Sequence, residues 1–354
     1  MKKNITCKIM LFAILMTSLM GCSLWPSENI AQYTPDSTDD GTEDEDLIVV
    51  GFSQLGSESD WRTANTKSIQ DALSEENGFS LIFSNGRQKQ ENQIKAIRNF
   101  ISQEVDYIVF SPKTETGWDT VLEEAKEAGI PVIVMDRMVK VSDDSLYTAM
   151  VGSNTYEEGI SAGEWLEKFT AKEKEKALKD KEFLEPDNEK VKIVVLEGTL
   201  DSTAQIGRTN GFHDIASRNS NWKILGTENG DFTKAKGKEA METLLNKYKD
   251  IDVVVSQNDD MTFGAIEAIQ EAGRTCGVNG EITIISFDAV SEAFDKMEEG
   301  LINVDIECNP LDGPIIVDLI ERLERGEEIP KQTYVEENVF EAENAAVDRI
   351  GRQY

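Results

Sequence analysis

Apolar residues recur along the chain in two alternating patterns. Short, near-continuous β-branched runs at 47–52, 79–83, 105–110, 132–135 and 147–151 predict strands. The stretches between them, 61–76, the segment carrying Ile94, Ile97 and Ile101, and 118–128, repeat apolar positions at helical spacing. Asn77 with Gly78, and Gly129, stand where two of these helices should stop. A second series follows: helix 156–169, strand 191–196, helix 203–216, strand 223–226, helix 234–248, strand 253–256, helix 261–272, strand 282–287 and helix 292–299. Strands that are apolar throughout, separated by amphipathic helices, predict a parallel sheet covered on both faces. About eleven strands are too many for one open twisted sheet, so the pattern predicts an α/β protein of two doubly wound parallel-sheet lobes. The charged stretch 171–190 between the series reads as a surface helix extension and loop.

The N-terminal residues follow neither pattern. Lys2, Lys3 and Lys8 precede an apolar run from Ile9 to Met20 that is too short for a permanent span, the order of a secretory signal. The residues closing it, Leu19, Met20, Gly21 and Cys22, resemble the bacterial lipobox, which implies cleavage after residue 21 and lipidation of Cys22. Residues 22–46 then turn polar and acidic and cannot offset their ordering entropy by burial, so a flexible tether is expected. The protein is therefore expected to be extracytoplasmic, held to the outer face of the cell membrane through a lipid alone.

Composition narrows the chemistry. The chain of 354 residues has 36 Lys plus Arg against 67 Asp plus Glu, a formal net charge of -31. That charge repels phosphate backbones, and no basic patch counters it, so a nucleic-acid partner is excluded. One His and four scattered Cys leave no zinc or iron–sulfur ligand set, and neither cofactor nor metal is expected. Cys276 and Cys308 are expected to be free thiols, and His213, among polar residues of a helix, solvated.

Ligands of open α/β sheets bind beyond the carboxyl ends of the strands. In this chain that rule selects Ser53, the loop 56–62, Asp136, Arg137, residues 197–199, Asn258, Asp259, Asp260 and Asp288. Carboxylates and amides engage vicinal hydroxyls, Arg donates in a planar fork, and an aromatic face packs on a sugar ring. The mixture suits a neutral sugar. Each residue also has a structural reading: Asp136 and Asp288 as helix caps, Arg208 in a surface ion pair, Trp61 as a core aromatic. Trp118 and Trp165 are assigned to packing between helix and sheet, and one of Asp259 and Asp260 to structure.

The segments GFSQLGSESDWR (51–62), NGRQKQENQIKAIRNF (85–100), AGIPVIVMDR (128–137), GDFTKAKGKEAME (230–242) and QNDDMTFGAIEAIQEAG (257–273) resemble the sugar-binding proteins of bacterial ABC importers, most closely the galactofuranose-binding branch. The resemblance covers the chain from Leu47 onward and implies the type I periplasmic-binding-protein fold, its lobes joined by a three-strand hinge. On that pattern the lobes comprise 47–152 with 309–332 and 153–308 with 333–354, and the crossings fall near 152–154, 288–291 and 308–310. It places the ligand contacts on Trp61, Arg62, Asp136, Arg137, Arg208, Asn258 and Asp288. It departs from the family at Asp60, where relatives carry Gly, and near Cys308, where ribose-binding relatives carry a Gln.

The implied activity is capture of a monosaccharide, galactofuranose, galactose or ribose-like, by a monomer that presents its closed form to the permease subunits of an ABC importer. A sensor would present the same closed form to a receptor kinase or chemoreceptor. A glycosidase would need two cleft carboxylates at a suitable separation, and the chain is not expected to be an enzyme. A transcription regulator would need a basic helix-turn-helix ahead of Leu47.

Overall fold

A computed structural model describes residues 47–179 and 190–354. The expected signal segment, the tether and Cys22 lie outside the described residues, as do residues 180–189 of the 171–190 stretch.

In chain order the elements are β1 (Ile48–Gln54), α1 (Asp60–Ala72), β2 (Phe79–Asn85), α2 (Gln90–Ser102), β3 (Tyr107–Phe110), α3 (Asp119–Glu127), β4 (Val132–Met135) and β5 (Ala149–Gly152). There follow α4 (Thr155–Lys179), β6 (Val191–Glu197), α5 (Thr203–Arg218), β7 (Trp222–Asn229), α6 (Lys234–Lys247), β8 (Val253–Ser256), α7 (Asp259–Glu271), β9 (Thr283–Asp288), α8 (Ser291–Glu298) and β10 (Val304–Glu307). The chain closes with α9 (Gly313–Glu324), β11 (Gln332–Tyr334), β12 (Val339–Glu341) and α10 (Ala345–Asp348).

The strands form two six-stranded sheets, ordered β11-β5-β4-β3-β1-β2 and β12-β10-β9-β8-β6-β7. Every pairing is parallel except β10 with β12. Strands apolar on both faces are what this architecture requires, and β3 shows why: Ile108 and Phe110 enter the core under α2 and α3, Tyr107 and Val109 the core under α1 and α9. In β8, Val254 packs toward α6 and α7 while Val253 and Val255 pack toward α4 and α5. Each such side chain contributes about 1.5–3 kcal/mol on burial. Trp118 and Trp165 lie in these cores, His213 is exposed, and Cys276 and Cys308 are buried free thiols.

The chain passes between lobes three times. It leaves the first lobe after β5, at Ser153 and Asn154, returns after β10 through Cys308 to Asp312, and leaves again after β11 through Val335 to Asn338. The crossing expected at 288–291 is corrected: β9 and α8 both belong to the second lobe, and the chain there makes a tight turn with Asp288 and Ala289 at φ 111° and 59°. The division expected between residues 332 and 333 also moves, because Thr333 and Tyr334 pair with Val151 and Gly152 of β5.

Candidate functional site

The carboxyl ends of both sheets face each other across a cavity. Trp61, Arg62, Asp136, Arg137, Arg208, Asn258 and Asp288 all line it, and Glu58, Ser59, Ala204, Phe232 and Cys308 complete the wall.

Helix starts and strand ends set the positions. Ser59 caps α1, its side chain accepting from the Arg62 N–H at 3.1 Å, which puts Trp61 and Arg62 in the first turn facing the cavity. Ser202 caps α5 in the same way, accepting from the Gln205 N–H at 3.3 Å, and Arg208 stands in the second turn. Asn258 caps α7 and its Oδ1 accepts from the Met261 N–H at 3.0 Å, leaving its amide Nδ2 toward the Phe232 carbonyl at 3.4 Å. Asp136 directly follows β4 at φ 61°, a left-handed conformation that costs a non-glycine residue about 1–3 kcal/mol. Neither Asp136 nor Asp288 caps a helix; the cap position of α8 is held by Val290.

Ion pairs hold the charged side chains. Arg62 donates from Nε to Glu58 Oε1 at 3.0 Å, and from Nη1 to Asp136 Oδ2 at 2.6 Å and to Ser111 Oγ at 3.3 Å. Arg208 is not at the surface but 2% exposed, donating from Nε to Glu158 Oε2 at 2.5 Å, from Nη2 to Asp288 Oδ1 at 3.2 Å, and from Nη1 to the Gln257 carbonyl. Arg137 is held less completely. Its Nη1 reaches the Lys113 carbonyl at 3.2 Å, and its buried Nε has no hydrogen-bond partner, Asp136 Oδ2 lying 3.7 Å away.

These contacts set the protonation states. Burial opposes ionisation of Asp136, but Arg62, Arg137 and the Ser111 hydroxyl outweigh it and hold the carboxyl below its usual range. Burial and the neighbouring Arg62 lower the pKa of Arg137. Burial likewise opposes the charge on Arg62, yet Asp136 and Glu58 carry its pKa above the ordinary value. Burial raises Asp288, with Arg208 pulling it back. Three guanidiniums thus face Glu58, Asp136, Asp288 and Glu158, and the wall carries no positive surplus to attract an anion.

The aromatic walls come from opposite lobes, Trp61 from one and Phe232 from the other. Phe232 sits in the turn after β7, and Gly198 makes room for it: a Cβ there would lie 1.9 Å from the ring's Cζ. The ring lies 5.3 Å from the Arg137 guanidinium across the cleft. Other bonds also cross between lobes: Met138 N–H to Thr203 Oγ1 at 2.8 Å, Glu115 N–H to the Asp201 carbonyl at 3.2 Å, and Asp60 N–H to Asp260 Oδ2 at 3.2 Å. The cleft is closed.

Sequence reasoning did not select Glu58, Phe232 and Cys308 for the wall. Glu58 lies inside the selected loop 56–62, and Phe232 inside GDFTK, so both were within reach. Asp259 is buried and accepts from the Val290 N–H at 2.9 Å and the Ser286 hydroxyl at 2.5 Å, a structural role.

Residues 50–312 match the family model described as periplasmic binding protein domain. The galactofuranose-binding protein YtfQ of Escherichia coli (strain K12) is 36% identical over 310 residues, which are 86% of this chain and 91% of that protein. A Mycobacterium smegmatis protein solved in complex with β-D-fucofuranose superposes with a TM-score of 0.80 at 42% identity, over 87% of this chain and 96% of that one. The binding component of the arabinose ABC transporter of Shewanella sp. ANA-3, bound to α- and β-L-arabinofuranose, gives 0.77 at 40% identity, over 85% and 94%. Among the described residues, no helix is long and apolar enough to cross a membrane.

Proposed function

Since the chain belongs to the periplasmic binding protein family, whose members bind solutes and are not enzymes, we propose that it captures a monosaccharide in the furanose form and delivers it to an ABC sugar importer. The observation that carries this reading is the Nε of Arg137, a residue of the cavity wall, which is buried and has no hydrogen-bond partner among the described residues. A ring hydroxyl supplies that acceptor. Asp136 and Asp288 accept from further hydroxyls, Arg62, Arg208 and the Asn258 amide donate, and Trp61 and Phe232 present faces to the CH sides of the ring. The balance of charge on the wall favours a neutral sugar over a sugar acid. The furanose form is supported by the ligands of the relatives near 40% identity.

Closure of the lobes removes water from these bonds, and hydrogen bonds to charged groups then contribute about 1.5–3 kcal/mol each. A few of them sustain micromolar binding, about -8 kcal/mol. The protein acts as a monomer, tethered by a lipid on Cys22 to the outer face of the membrane beside the permease; the sequence LMGC at 19–22 supports this anchor. Mass spectrometry of the N-terminal peptide from membranes tests the anchor, and an unmodified residue 22 refutes it.

The sugar reading is tested by thermal shift and calorimetry with galactose, arabinose, fucose, ribose, fructose and glucuronate. Carbon-13 NMR of the bound sugar reports the ring form. Selective binding of a neutral sugar as its furanose is expected. Binding of glucuronate alone, or of none of these sugars, would overturn it.

A further inference from the structure

Behind the cavity wall, to which Cys308 belongs, one cluster joins all three interlobe passages. Glu158 stands in the first turn of α4, just beyond the first crossing; Cys308 opens the second; Glu337 lies in the third. One donor atom from each, two carboxylate oxygens and a sulfur, falls within 4.8 Å of the others. Ser153 is set among them: its hydroxyl lies 3.2 Å from Cys308 Sγ and donates to Glu337 Oε1.

Two features of this cluster call for a further partner. Glu158 is 3% exposed and its Oε1 is buried without any hydrogen bond, although Oε2 is taken by Arg208. An orphaned carboxylate oxygen in such a place costs about 1–3 kcal/mol or more. The single guanidinium beside the cluster, that of Arg208, is also shared between Glu158 and Asp288, and among the described residues no ion pair reaches Glu337.

The geometry points to a hinge site for a thiophilic divalent cation of the zinc class, ligated by Glu158, Cys308 and Glu337, one residue in or next to each interlobe passage. A sulfur among two carboxylates selects zinc over calcium or magnesium, which take oxygen alone. Three protein ligands with water as the fourth complete a tetrahedron, and small movements bring the donors to about 2.0–2.3 Å from the metal. On binding, the Cys308 thiol gives up its proton to solvent and its sulfur bonds the cation. The ion then cross-links the three segments on which the lobes turn. This inference does not depend on which sugar fills the cavity.

The test uses cobalt(II) as a spectroscopic stand-in for zinc, added to the reduced, chelator-stripped full chain without sugar. One equivalent should saturate an ultraviolet thiolate-to-cobalt charge-transfer band, and zinc should abolish the band. Cys308→Ser should remove it, although Cys7, Cys22 and Cys276 remain. Glu337→Gln should keep the thiolate and weaken cobalt binding about tenfold or more, by analogy with the losses seen when a metal site is disturbed. Thermal melts establish that both variants are folded, and if Cys308→Ser is not, Glu337→Gln decides alone. Absence of a band, or a band and affinity unchanged in the folded variants, overturns the proposal.

Discussion

The indole Nε1 of Trp61 donates to the carbonyl oxygen of Cys308 at 2.6 Å, joining the first turn of α1 to the second interlobe crossing. The same ring forms part of the cavity wall, so one side chain both touches the ligand space and fastens the hinge. Trp61→Phe keeps an aromatic face but leaves a buried carbonyl without its donor, a cost of about 1–3 kcal/mol. Sugar affinity should fall about tenfold or more by calorimetry. Small-angle scattering should show the sugar-free variant more open than the parent. Unchanged affinity and an unchanged scattering profile would show that the bond does not couple ring and hinge.

Arg208 and Arg137 line one cavity but should fail differently. Arg208 pairs with both Glu158 and Asp288, which are buried, and its loss strands two carboxyl groups. Removing one partner of a buried ion pair costs about 3–5 kcal/mol. Arg208→Met should therefore lower the unfolding midpoint in urea markedly as well as abolish binding. Arg137 has an unpartnered Nε, and burial beside Arg62 already disfavours its charge. Arg137→Met should leave stability nearly unchanged while binding is lost. Equal stability losses in the two variants would contradict this division.

The division also explains how much the sequence reveals. Strands with apolar residues on both faces, such as β3 and β8, are legible because a short continuous apolar run rich in β-branched residues between amphipathic helices fits a buried strand. β10 is not, since its Asp305 and Glu307 are buried; Asp305 accepts from the Ala289 N–H at 3.1 Å and Glu307 from Asn338 and Arg352, partners distant in sequence. β11 and β12 have three residues each, too few for a period to register. The misplaced crossing has a similar cause: Asp288 and Ala289 form a sharp turn within one lobe, while the true third passage, 335–338, follows a strand too short to notice. In the site, polar residues at strand ends stand out, whereas Phe232 is an apolar residue in a loop whose function depends on the gap left by Gly198.

Asp260 provides a pH dependence. Burial raises its carboxyl to about 7; the bond from the Asp60 N–H acts in the opposite direction, and the charges of Asp60, Glu292 and Glu58 add to the rise. A carboxyl with a raised pKa in the closed form takes up a proton there, so its contribution favours closure at low pH and is lost as pH rises toward 7. Asp60 and Glu58 come from the opposite lobe, which makes the effect one of closure. Sugar should bind more tightly at about pH 6 than at about pH 8. Asp260→Asn should flatten the profile, and Asp60→Asn should move its midpoint downward. Calorimetry across this range checks all three, and a profile identical in the parent and in Asp260→Asn would assign the pH dependence elsewhere.

Gly198 offers the most local test of the aromatic wall. It follows β6 without a left-handed φ, so alanine fits its backbone, and the obstacle is the Phe232 ring, whose Cζ lies 1.9 Å from the position of a Cβ. The far end of that side chain can swing aside, at an overpacking cost of about 1–3 kcal/mol. It swings away from Arg137 and from the sugar's face. Gly198→Ala should therefore weaken sugar binding about tenfold with only a small loss of thermal stability. Phe232→Leu alone should weaken binding similarly by removing the ring face. With the ring gone, Gly198→Ala has nothing left to displace, so in the double variant the second substitution should cost little further affinity. Additive losses across this cycle would show that Gly198 serves the cavity by some route other than seating Phe232.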